Sequence, residues 1–137
     1  MAALATVPHA QFAPVQVQKM FFLIDENIAP HIGGKQFEFE PYDYGPFDKS
    51  VYQELEALRQ IGLVDLELVA PGPGGRRYST TPLGQQIGTD VVGTLPRNVV
   101  AYIHEVSAWV RSLNFAQLVG SIYRAYPQMR ARSIFVE

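Results

Sequence analysis

Residues 48–79 constrain this chain more than any other stretch. Asp48 stands where its carboxylate can accept the free amide hydrogens of a first helical turn, and Phe47 before it is placed to pack on Tyr52 as a hydrophobic staple. Val51, Leu55 and Leu58 then recur at helical spacing, Ile61 extends the stripe, and Gly62 supplies the left-handed residue that stops a helix. The opposite face of that helix reads Lys49, Gln53, Glu56 and Gln60. From Leu63 to Val69, apolar Val64, Leu66 and Leu68 alternate with Asp65 and Glu67, and Ala70-Pro71-Gly72-Pro73-Gly74-Gly75 turns the chain into Arg76-Arg77-Tyr78-Ser79. A glycine-stopped helix feeding directly into a tight two-stranded hairpin is compatible with few folds.

Further helices surround this unit. A short apolar piece, Met1 to His9, precedes the break at Pro14, and from Val15 the residues Val17, Phe21, Ile24 and Ile28 recur at helical spacing until Pro30, with Met20 and Leu23 widening the stripe. Between that helix and Asp48 the chain is glycine- and aromatic-rich, and Phe37-Glu38-Phe39-Glu40 alternates as a short strand or an extended loop does. Downstream, Thr81-Pro82 caps and opens a helix on which Leu83, Ile87 and Val91 fall at four-residue spacing. Pro96 opens a longer one with Val99, Ile103, Val106, Val110 and Leu113 on one face, and Trp109 beside that stripe reads as core or as a dimer contact. Asn114 with Gln117 forms a capping box for a last helix carrying Phe115, Leu118, Val119 and Ile122, and Pro127 ends it. The expected fold is mainly α with a small β-hairpin (α+β): a winged helix-turn-helix with additional C-terminal helices. It makes one domain over 1–137, with helices plus wing in 1–80, a helical extension in 81–126 and a tail or short final element in 127–137.

Composition narrows the function classes. With 137 residues, 47% of them hydrophobic, the chain fills one core rather than two. The absence of cysteine removes disulfides, thiolate chemistry and cysteine metal sites together. No basic leader precedes an apolar stretch and no apolar run approaches membrane-spanning length, so a soluble, cytoplasmic protein is expected. The net charge of -2 is unevenly spread: residues 1–67 hold four Lys/Arg against ten Asp/Glu, and residues 68–137 hold seven against three.

The stretches Val17-Gln18-Lys19-Met20-Phe21-Phe22-Leu23-Ile24-Asp25, Phe39-Glu40-Pro41-Tyr42-Asp43-Tyr44-Gly45-Pro46-Phe47, Val51-Tyr52-Gln53-Glu54-Leu55 and Gly62-Leu63-Val64 together resemble the YwgA-like winged-helix proteins and, more distantly, the SocA-like (Panacea) antitoxins. The resemblance covers roughly residues 4–126, and Tyr-Gly-Pro-Phe before a helix is its most specific element. It implies the winged-helix fold. The antitoxin likeness further implies neutralising a toxin, or presenting it to a protease, by direct contact. Those antitoxins typically carry Gly-Pro followed by aliphatic residues where this chain has Tyr-Gly-Pro-Phe, and this chain adds helices after the wing.

Two functional readings follow from the residues. In the first, the chain is a protein-binding module whose contact surface is Phe37, Phe39, Tyr42, Tyr44 and Phe47 with the basic C-terminal Arg124, Arg130 and Arg132, because aromatic and arginine side chains dominate interface hot spots. The bland counterpart is that an aromatic run between two core helices belongs to the core, with Tyr42 and Tyr44 the residues that expose their hydroxyls. Self-association is placed on helices 97–126. In the second reading the helix over 48–61 enters the DNA major groove, with Lys49, Gln53 and Gln60 at base edges and Arg76 and Arg77 on phosphates. Asp48, Glu54 and Glu56 outnumber Lys49 and Arg59 on that helix, which weighs against it. Catalysis has the weakest support. Gly72-Pro73-Gly74-Gly75 lacks the Lys-Ser/Thr of a phosphate loop, His104-Glu105 lacks the second histidine of a zinc site, and Asp25-Glu26 reads as a solvated helix end. No cofactor and no metal are expected.

Overall fold

The computed structural model describes residues 1–135. It is mainly α-helical with two small antiparallel strand pairs, in the order α1 (Ala2–Ala5), α2 (Pro14–Ile28), β1 (Glu40–Tyr42), β2 (Gly45–Phe47), α3 (Lys49–Gln60), β3 (Val64–Leu68), β4 (Arg76–Thr80), α4 (Pro82–Val92), α5 (Arg97–Ser112) and α6 (Phe115–Ala125). A 3-10 turn, Pro127–Arg130, follows α6 in the stretch expected to be a tail or short element.

The helix ends obey local chemistry. The Asp48 carboxylate accepts from the Ser50 amide at 2.8 Å, Thr81 Oγ1 accepts from Gly84 at 3.0 Å, and Asn114 and Gln117 bond reciprocally at 2.8 and 3.0 Å. Gly62, at φ +82°, ends α3: its amide donates to Arg59 and that of Leu63 donates back to Leu58, the paired bonds that satisfy the last carbonyls of a helix. This closure puts Leu63 in the core and turns Ile61 outward, 66% exposed, so Ile61 does not extend the buried stripe of Val51 and Leu55 as its spacing suggested.

Helix α2 occupies the centre of the core. Val17, Met20, Phe22 and Ile24 are buried on it, and α5 packs alongside through Val99, Ile103, Val106 and Val110, the residues expected for that face. Leu118, Val119 and Ile122 of α6 are buried as well. Full burial of a large apolar side chain contributes about 1.5–3 kcal/mol. Phe12, fully buried in the link before Pro14, therefore matters as much as any helical residue; its backbone exchanges two 2.8 Å bonds with Tyr78 and adds a third segment to the edge of β4.

Of the two forms expected for Phe37-Glu38-Phe39-Glu40, residues 37–39 form a loop and Glu40 opens the strand pair, opposite Phe47, with Tyr42 opposite Gly45. Other expectations are corrected by the packing. Leu83, Ile87 and Val91 do not face the core: α4 buries Gly84 and Gly88 instead, because the missing side chains let its backbone settle on the Leu63 carbonyl and on Ala5 of α1. Trp109 and Phe115 lie at the surface, as do Leu68 and Val69 on the hairpin.

Candidate functional site

Three buried polar side chains on α2 reach into residues 36–48 and hold that segment. The Asp25 carboxylate accepts from the amides of Gln36 at 3.1 Å and Phe37 at 2.8 Å. Gln18 clamps Asp48 from both sides, its Nε2 donating to the Asp48 carbonyl at 2.9 Å and its Oε1 accepting the Asp48 amide at 3.1 Å. Lys19 Nζ donates to the Pro46 carbonyl at 3.1 Å. Buried polar groups persist when they are satisfied, and here the partners are backbone groups that no strand ladder pairs. Asp25 is thus an internal clamp rather than a solvated helix end; Glu26 remains exposed, 3.5 Å from Lys35. Sequence reasoning missed all three residues. The available signal was Met20-Phe21-Phe22-Leu23-Ile24: five consecutive apolar residues leave a helix little polar face, so polar neighbours of such a run are drawn inward.

The segment held this way divides the aromatic residues. Phe37 and Phe39 turn inward, their ring centroids 5.7 Å from Phe21 and 5.6 Å from Phe22. Phe47 lies between Tyr42 at 5.1 Å and Tyr52 at 5.8 Å, the latter being the expected staple. Tyr42 and Tyr44 are exposed, as anticipated, and Tyr44 meets the edge of Phe115 at 5.0 Å. The C-terminal arginines sit on groups of their own chain: Arg132 over Tyr42 at 5.7 Å, Arg130 over Tyr123 at 5.3 Å, and Arg124 donating to Ser121 at 3.2 Å.

A cleft of about 530 Å³ opens between the β1–β2 hairpin, the start of α2, the tip of the β3–β4 hairpin and the turn from α5 to α6. Lys19, Tyr42, Tyr44, Tyr52, Arg77 and Phe115 line it, with Asp43 at the hairpin turn. Lys19 is 3% exposed, and burial pushes its ammonium down to about 7, with no carboxylate offsetting the effect. Burial likewise pushes the Tyr52 phenol up to about 12.

The face proposed for DNA has a different character. Lys49, Gln53, Glu56 and Gln60 are exposed together on α3, as their spacing requires. Arg59 holds Glu56 through two bonds of 2.8 and 2.6 Å, Gln60 donates to the same carboxylate at 3.3 Å, and the guanidinium keeps the Glu56 carboxyl at about 2. At the hairpin Arg76 is exposed, whereas Arg77 is half-buried and its Nη1 donates to the carbonyls of Gly74 and Arg76 at 2.7 Å. Among the described residues no cluster of three His, Asp or Glu side chains is arranged to hold a metal, and no helix is long and apolar enough to cross a membrane. Comparison with protein-family models, curated proteins and solved structures returns no match to this chain.

Proposed function

We propose that this chain is a winged-helix module that works by non-covalent recognition of a protein partner. The α3 helix, its glycine stop and the β3–β4 hairpin serve as the helix-and-wing unit, and α5 and α6 as the added helices. The observation that carries the reading is the inverted α4: Leu83, Ile87 and Val91 stand 53%, 36% and 39% exposed in one line along the helix, while the glycines beside them face the core. An apolar row at i, i+4 and i+8 is the pattern with which a helix docks on a groove or on another helix. The exposed rings of Tyr42, Tyr44 and Phe115 form a second apolar surface of the same kind. Self-association through 97–126 has less to draw on, because the apolar faces of α5 and α6 pack into the chain's own core and leave Trp109 and Phe115 outside.

DNA binding is the second reading, favoured by the joint exposure of Lys49, Gln53 and Gln60 beside Arg76. Against it, Arg59 is paired with the Glu56 carboxylate, and Arg77, though still charged, has its Nη1 turned to the hairpin's own carbonyls rather than toward an approaching phosphate. Affinity purification of the tagged protein from its native host, with and without nuclease, separates the two. Under the leading reading a stoichiometric protein survives nuclease, is lost with Ile87→Glu and is retained with the double change Arg76→Ala, Arg77→Ala. Discrete DNA sites lost with the arginine pair and at moderate salt, with no protein retained, would establish the second instead.

A further inference from the structure

Lys19 is a buried cation with one hydrogen bond where an ammonium has three to give. The backbone above it is that of Gly45, at φ +99°, and a side chain there would meet the Tyr123 ring at 3.2 Å and Lys19 Cε and Nζ at 3.8 Å. Glycine thus lets the hairpin close on the amine, and Lys19, whose amine makes no bond besides that to Pro46 among the described residues, is part of the lining of the cleft. A buried ammonium without a counter-ion is expensive, so burial suppresses its charge, and the open cleft beside it leaves room for a counter-ion supplied from outside to restore it.

We propose that this cleft binds an apolar monocarboxylate, its carboxylate on Lys19 and its body against Tyr42, Tyr52 and Phe115. The volume lies in the range of small-molecule sites, and the composition matches them: aromatic walls with a few polar groups that fix orientation. A charge-assisted bond from Nζ to a carboxylate satisfies the ammonium and restores the charge that burial suppresses. Arg77 adds a second positive group at the hairpin tip, and Asp43 at the β1–β2 turn disfavours a second negative charge on the ligand. The site shares no residue with the Leu83–Ile87–Val91 row, whereas Tyr42, Tyr44 and Phe115 belong both to its lining and to the second partner surface.

Isothermal titration of the full chain at pH 8 with phenylacetate, indole-3-acetate and octanoate, each beside its carboxamide, tests the assignment. At least one acid is expected to bind with Kd below about 1 mM, about tenfold or more tighter than its amide, with uptake of close to one proton as Lys19 recharges. Lys19→Met, confirmed as folded by circular dichroism, is expected to lose about tenfold or more in affinity and to abolish the proton uptake. The assignment is overturned if no acid binds up to about 10 mM, if acid and amide bind alike, or if folded Lys19→Met binds as the parent does. The acid-against-amide comparison on the parent decides the matter even where the variant does not fold.

Discussion

Replacing Lys19 with Met isolates the energetic consequence of a buried amine. Burial brings its ammonium from 10.5 to about 7, whereas the unfolded chain keeps the ordinary value. Between these limits the unfolded state holds more protons, so stability rises with pH; the contribution is complete above the unfolded value and is lost as pH falls toward the folded one. Each pKa unit is worth about 1.4 kcal/mol, and allowing for half-titration near pH 7 the parent gains about 2 kcal/mol between pH 7 and pH 9 from this residue. Met has similar length and no proton, so the variant lacks that slope. Burial also lowers the Met1 amine, with Glu54 opposing, but this affects both proteins equally and cancels in the difference. Tyr52 and Tyr102, both raised by burial, act above this window. Urea unfolding of both proteins at pH 7, 8 and 9 is the assay. The variant is expected to be the more stable at pH 7 and to lose about 2 kcal/mol of that advantage by pH 9. Curves for the two proteins that run parallel across the window would refute the reasoning and place Lys19 in contact with solvent.

Two further outcomes test the packing and the caps. Gly84→Ala should destabilise the fold by about 3 kcal/mol in urea titration, against the helix-propensity gain of about 1 kcal/mol, because the added carbon overlaps the Leu63 carbonyl; a stabilised variant would mean that α4 does not lie on that backbone. Asp48→Ala should cost about 1–2 kcal/mol by the same method, since one carboxylate oxygen caps α3 at Ser50 and the other accepts the Glu38 amide at 2.7 Å, and a loss below about 0.3 kcal/mol would show that water replaces it fully.

Much of the fold was legible because its signals are local. Asp48, Gly62, Thr81 and Asn114 act within a turn of their own position, and most of the faces of α2, α5 and α6 follow from spacing that burial rewards directly, except that Phe22 is fully buried outside the expected stripe, where Phe21 and Leu23 are only partly buried, and Phe115 is exposed. The failures share a different cause. Leu83, Ile87 and Val91 have the spacing of a core stripe, but which face a helix buries depends on how close its neighbour comes, and Gly84 and Gly88 win because α1 and Leu63 approach the backbone itself. Ile61 fails because one left-handed residue redirects the chain and Leu63 takes the inner place. The aromatic segment follows the core reading of its run: Phe37 and Phe39 turn inward and Tyr42 and Tyr44 fall outside, whereas the clamp that fixes the segment, Asp25 eleven or twelve residues upstream of the amides it binds, was not legible.

The cleft was the least legible feature, and the reason bears on how the proposed activities connect. Its floor is a lysine on α2, its roof a glycine turn and its walls come from the two hairpins and the α5–α6 turn, so no single window of sequence contains it. Lys19 also holds Pro46, on the strand that pairs with Tyr42, and Tyr44 rests on Phe115. A carboxylate drawing on the same ammonium therefore acts on the bond that positions the exposed tyrosines. Coupling between sites is reciprocal, so a ligand that alters the hairpin's hold must change affinity for any partner docking on Tyr42 and Tyr44 by the factor with which that partner changes ligand affinity. The Leu83–Ile87–Val91 row shares no residue with the cleft, and a partner that docks there alone should bind with the same affinity whether the cleft is filled or empty.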